Sequence, residues 1–145
     1  MSKLLIYSMH RTDAYWRYAA RHPKHSHAST LVGEQLGSGD GSTRPRPYEL
    51  LRGGEPERFV TRHLGETIAA DIITRCRVLR SLDYGLAIRM VGAMWMAIEE
   101  IVRKEKPDFA LSFCIDRYSM DILARIVELH DIPFAEMTAS VLPRS

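Results

Sequence analysis

The chain has 145 residues, of which 46% are hydrophobic and 26% are charged, and its formal net charge at pH 7 is +2. This composition is that of one globular domain spanning residues 1–145, and the near-neutral charge argues against a nucleic-acid-binding protein. Cys76 and Cys114 have no metal-binding or redox spacing, which favours a reducing compartment.

Since no signal peptide or membrane-spanning pattern is visible, we expect a cytoplasmic protein, with peripheral association at the inner face of the membrane left open.

The first elements are a strand and a helix. Residues 3–9 form a continuous apolar run, which predicts a strand buried on both faces, as in a parallel sheet. Thr12 or Asp13 is a suitable N-cap for an aromatic helix that runs to Arg21. Residues 29–32 then predict a second, weaker strand.

The middle of the chain predicts a loop and two amphipathic helices. Residues 37–54 begin with a run of Gly, Ser and Pro, which predicts a flexible loop. The following apolar residues recur at helical spacing, with a break at residues 83–85. The predicted buried stripes are Val60, Leu64, Ile68, Ile72, Ile73, Cys76 and Leu79 in the first helix, and Ala87, Val91, Met94, Ile98 and Ile101 in the second.

The last third of the chain predicts a strand–helix–strand unit. Residues 109–115 and 134–137 read as strands, and Asp116 or Ser119 is a suitable N-cap for the helix between them. The predicted inner face of that helix consists of Ile122, Leu123, Ile126 and Val127. A unit of this length is typical of a right-handed parallel crossover. The chain therefore predicts an α/β fold with a mainly parallel sheet of about four strands and flanking helices.

The loops that follow the strands are the predicted ligand-binding positions, because open parallel sheets bind ligands beyond the carboxyl ends of their strands. These loops contain His10, Arg11 and Asp13 after the first strand, Asp116 and Arg117 after the third, and Ser140 after the last.

His10 is the predicted catalytic base, because histidine exchanges a proton near working pH, and Asp13 or Asp116 would orient it. Arg11 and Arg117, with Ser140 after the last strand, would hold an anionic or polar substrate group. The structural alternative is that the acidic residues cap helices or form a solvated ion pair with little energetic effect. No strong metal-binding spacing occurs, and we expect no metal site.

Two segments resemble GT-B glycosyltransferases. Residues 3–20, "KLLIYSMHRTDAYWRYAA", resemble the first strand, acceptor-side loop and helix of that family. Residues 106–143, "KPDFALSFCIDRYSMDILARIVELHDIPFAEMTASVLP", resemble its recurring strand–helix–strand unit. Within the family, the likeness is to bacterial proteins of capsule and surface-polysaccharide biosynthesis.

The resemblance implies a three-layer Rossmann-like domain, the acceptor-side half of a two-domain transferase. His10 and Asp13 would be its catalytic residues, and Arg11, Asp116, Arg117 and Ser140 would contact substrate. The acceptor would be a carbohydrate or a lipid-linked carbohydrate. No covalent cofactor is implied, and the nucleotide-sugar donor would bind a second domain or chain, without which this one would be inactive.

Two other functions are compatible with the same elements. The first is a stand-alone α/β nucleotide-binding or regulatory module without catalysis. The second is one half of a nucleotide-sugar epimerase, which shares the two-domain plan. Nucleotide titration and product analysis, respectively, would distinguish these functions from the acceptor-side domain.

Overall fold

A computed structural model of the protein describes residues 2–8, 13–21, 27–33, 50–113 and 117–137. Its strands are β1 (Ser2–Ser8), β2 (His27–Gly33), β3 (Phe109–Phe113) and β4 (Phe134–Met137). Its α-helices are α1 (Asp13–Ala20), α2 (Glu55–Phe59), α3 (Glu66–Arg75), α4 (Tyr84–Glu105) and α5 (Tyr118–Leu129). A π-helical turn, Val60–Leu64, extends α2, and a 3₁₀ turn, Leu79–Ser81, precedes α4. Most of the predicted loop at residues 37–54 lies outside the described residues.

The four strands form one parallel sheet in the order β2-β1-β3-β4. Leu5 of β1 pairs with Thr30 of β2 and with Ala110 of β3, so β1 is hydrogen-bonded along both edges. α1 packs on one face of the sheet, and the other helices contribute to the larger core on the opposite face. The predicted three-layer, Rossmann-like α/β fold with a parallel sheet is confirmed.

β1 is buried on both faces, as its continuous apolar run predicts. Leu5 and Tyr7 point into the larger core, whereas Ile6 points toward α1. All three side chains are almost completely buried. This alternation explains why the run lacks the polar positions that a strand with one solvated face would show.

Two of the predicted helix stripes are confirmed. The five apolar positions assigned to α4 and the four assigned to α5 are all buried. Asp83 caps α4, because its Oδ2 accepts a hydrogen bond from the backbone nitrogen of Leu86 at 3.1 Å. Among the described residues, no helix is long and apolar enough to cross a membrane.

The predicted continuous helix over the first stripe is wrong. The chain passes through the π-helical turn and then through Gly65, whose φ of 88° interrupts the helix. The phase of the apolar pattern shifts at this break. Ile68, a predicted core residue, is consequently 39% exposed, and the next residue, Ala69, is buried in its place.

The predicted cap of α5 also needs correction. Ser119 lies inside the helix and is buried, and Arg117 occupies the N-cap position. The backbone of Arg117 is extended, and its side chain makes no capping hydrogen bond. Asp116, the other predicted cap, lies outside the described residues.

A close approach between α2 and α4 depends on Gly92. A Cβ atom at this position would lie 2.3 Å from the carbonyl oxygen of Pro56 and 3.0 Å from Cγ2 of Val60. The obstructing atom at the shorter distance belongs to the backbone, so a rotamer change cannot relieve the clash. Gly92 therefore allows the two helix backbones to touch inside the larger core.

We expect Gly92→Ala to lower the free energy of unfolding by about 2 kcal/mol, because the steric conflict with Pro56 outweighs the gain in helix propensity. Urea denaturation followed by circular dichroism measures the change. Gly85→Ala, in the first turn of the same helix, is the matched control, since its Cβ would approach only the side chain of Asp83, at 3.2 Å. Equal stabilities of the two variants would contradict the role given to Gly92.

Candidate functional site

The direction in which successive strands are added to the sheet reverses between β1 and β3. From β1 the chain crosses through α1 to β2 on one side, whereas from β3 it crosses through α5 to β4 on the other side. We call the crevice between the carboxyl ends of β1 and β3 the switch point. In open α/β sheets, this is the position at which ligands bind.

The switch point joins the two loops that the sequence selects. β1 ends at Ser8 and β3 ends at Phe113, and the residues just before them, Tyr7 and Ser112, are paired in register. The predicted loops therefore start from neighbouring strand ends on one edge of the sheet. β4 ends on the same edge, on the far side of β3.

The structure locates only part of the predicted site. His10, Arg11, Asp116 and Ser140 lie outside the described residues. Asp13 is the first residue of α1, but its side chain is also outside the described part of the chain.

Arg117 is exposed at the start of α5, on the edge of the sheet that holds the switch point. α1 and α5 both begin at this edge. Their N-terminal backbone N–H groups carry partial positive charge, and together with the Arg117 guanidinium they favour an anionic group.

Three aromatic side chains, which we call the aromatic cluster, meet at this edge: Tyr15 and Trp16 of α1 and Phe113 of β3. The ring centroids of Trp16 and Phe113 are 5.2 Å apart at an interplanar angle of 64°. Tyr15 lies 5.4 Å from Trp16 and 6.4 Å from Phe113. The edge-to-face contacts are favourable beyond simple burial. The sequence shows the aromatic residues of α1 but not their contact with β3, because that contact requires β3 to lie beside β1.

The indole N–H of Trp16 is a buried polar group. The residue is only 2% exposed, and its Nε1 has no hydrogen-bond acceptor among the described residues. A buried donor without an acceptor is uncommon, since losing water without a replacement costs free energy.

An ionic network holds the first turns of α5 against α3. Arg125 donates through Nε to Oδ1 of Asp121 at 2.9 Å and through a terminal nitrogen to Asp71 of α3. Burial acts to lower the pKa of Arg125, but the bonds to Asp121 and Asp71 outweigh it and raise the pKa above its ordinary value. The network fixes the helix that begins directly after the predicted Asp116–Arg117 loop.

Among the described residues, grooves open at the amino edge of the sheet, opposite the switch point. One, of about 290 Å³, is mostly apolar and lies between α1 and the starts of β1 and β3. The other, of about 420 Å³, lies between the C-terminal ends of α4 and α5 and contains Arg103 and His130. Near this groove, Glu99 accepts hydrogen bonds from Arg103 at 2.7 Å and from Nε1 of Trp95 at 3.2 Å, and both lie within α4.

Within the described residues, no group of three His, Cys, Asp or Glu side chains is placed to hold a metal ion.

Comparison with known proteins gives no assignment for this site. No family model matches the chain. No curated protein matches it either.

We expect Arg125→Met to lower the free energy of unfolding by about 2 kcal/mol, because it leaves Asp121, only 7% exposed, without its cation. Urea denaturation at neutral pH measures the effect. Arg75→Met is the matched control: Arg75 also faces Asp71, but at 3.9 Å and on the exposed surface, so its loss should cost less than about 0.5 kcal/mol. Similar losses in the two variants would show that the network does not hold α5 in place.

Proposed function

We propose that the chain is a ligand-binding, Rossmann-like domain whose ligand occupies the switch point, and that it is the acceptor-side domain of a glycosyltransferase for surface polysaccharide. The observation that carries the proposal is the adjacency of β1 and β3 with reversed winding. This topology brings the carboxyl ends of the two strands to one crevice. The acceptor assignment is supported by the resemblance of residues 3–20 and 106–143 to GT-B enzymes.

In this proposal, residues of the two loops at the switch point have different roles. His10, two residues after β1, is the base that removes a proton from the acceptor hydroxyl, and Asp13 or Asp116 orients it. Arg11 and Arg117 hold an anionic group of the acceptor, helped by the N-termini of α1 and α5. The nucleotide-sugar donor is held by a second domain or chain. A lipid-linked acceptor would bring the domain to the inner face of the membrane.

A second candidate is a nucleotide-binding or regulatory module without catalysis. The strand order β2-β1-β3-β4 favours it, because flavodoxin-like domains with the order 2-1-3-4-5 bind a nucleotide cofactor between their first and third strands. Titration of the chain with free nucleoside diphosphates distinguishes the candidates. Tight binding by this chain alone supports the nucleotide-binding module, whereas an acceptor-side domain should bind them weakly.

In the complete enzyme, we expect His10→Ala to lower the rate of sugar transfer at least about 100-fold, the usual contribution of a general base. The rate is measured by transfer of a labelled sugar to the acceptor, and circular dichroism checks that the fold is intact. His130→Ala is the matched control, because His130 lies at the opposite edge of the sheet. Unchanged transfer by His10→Ala would remove His10 from the catalytic role.

A further inference from the structure

Tyr15 lies near the switch point. It belongs to the first turn of α1, the end of the helix nearest the carboxyl edge of the sheet. α1 connects β1 to β2, yet the Tyr15 ring contacts Phe113 of β3. Since β3 and β2 lie on opposite sides of β1, this contact joins α1 to the strand on the other side of the switch point.

The Tyr15 ring contacts two other aromatic rings and is also exposed to solvent. Its contacts with Trp16 and Phe113 restrict its motion, while the residue remains 51% exposed. An aromatic ring held by its neighbours with accessible surface loses little conformational entropy when a second ring stacks on it. Such a ring, placed beside a ligand-binding crevice, is suited to recognise a flat or ring-shaped ligand.

The buried indole N–H of Trp16 belongs to the same cluster. The indole packs against both other rings, and its Nε1 has no acceptor among the described residues. The aromatic cluster therefore combines the exposed ring of Tyr15 with a buried indole donor.

We propose that the aromatic cluster is a ring-stacking subsite of the switch point, in which Tyr15 packs against the sugar ring or nucleobase of the ligand. The inference rests on the proposed position of the ligand, and it adds the chemistry by which the site recognises that ligand. Tyr15 is a binding residue in this account, and proton transfer is assigned elsewhere.

The test uses the 145-residue chain and two probes, uridine diphosphate and glucose 1-phosphate, titrated separately by calorimetry and by chemical-shift changes in NMR. We expect at least one probe to bind and Tyr15→Ala to weaken that binding at least about tenfold, while Tyr15→Phe retains it within about twofold. Binding of uridine diphosphate identifies a nucleobase in the subsite, and binding of glucose 1-phosphate identifies a sugar ring.

Tyr18→Ala is the matched control. Tyr18 lies on the same helix and is 77% exposed, so its removal changes the surface in a comparable way. Denaturation midpoints of both alanine variants check that the fold is intact. A Trp95→Phe variant leaves Trp16 as the sole tryptophan, whose fluorescence should change when a probe binds.

Two results would overturn the subsite: binding of neither probe to the unaltered chain, or equal affinities of Tyr15→Ala and Tyr18→Ala. Both measure binding and do not depend on sugar transfer. The transferase proposal fails on different results, namely unchanged turnover of His10→Ala or tight binding of uridine diphosphate by this chain alone. The two ideas are therefore tested separately.

Discussion

Parallel pairing of β1 with both β2 and β3 is the constraint on which the other features depend. Parallel strands need a crossover, and crossovers are almost always right-handed. The step from β1 to β2 therefore puts α1 on one face, while the steps to β3 and β4, in the opposite direction, put α4 and α5 on the other. The same reversal opens the crevice between β1 and β3. One strand order thus accounts for both the layers and the position of the candidate site.

Among the described residues, the two faces of the sheet carry buried clusters of different size. On the face of α4 and α5, a large continuous core contains most of the buried apolar residues. On the face of α1, the buried cluster consists of Ile6, Trp16 and Leu31, with partly buried neighbours. Of the apolar burial in the described residues, most therefore lies on the first face. The described part of the second face has the smaller buried cluster and carries the exposed ring of Tyr15, so the proposed recognition residue lies apart from the larger core.

Local sequence patterns predict the strands and most helices, because apolar runs and helical spacing indicate which faces are buried. They miss the break at Gly65, since the four-residue spacing continues into the π-helical turn and conceals the change of phase at Ile68. The candidate site is predictable as a pair of loops, from the rule about carboxyl strand ends. The aromatic cluster is not, because the contact between Tyr15 and Phe113 depends on the spatial order of strands, which no local pattern specifies. The catalytic role of His10 remains a prediction.

The contact at Gly92 has a consequence for how the chain can vary in length. With a backbone carbonyl of Pro56 seated against this glycine, α2 cannot slide along α4 by even one residue. Insertions or deletions within α4 before Gly92 would move this glycine away from the carbonyl. The exposed residues Arg80 and Ser81, in the turn between α3 and α4, are free of this restriction. Insertions and deletions in this half of the protein should therefore occur in that turn and not within α2 or α4.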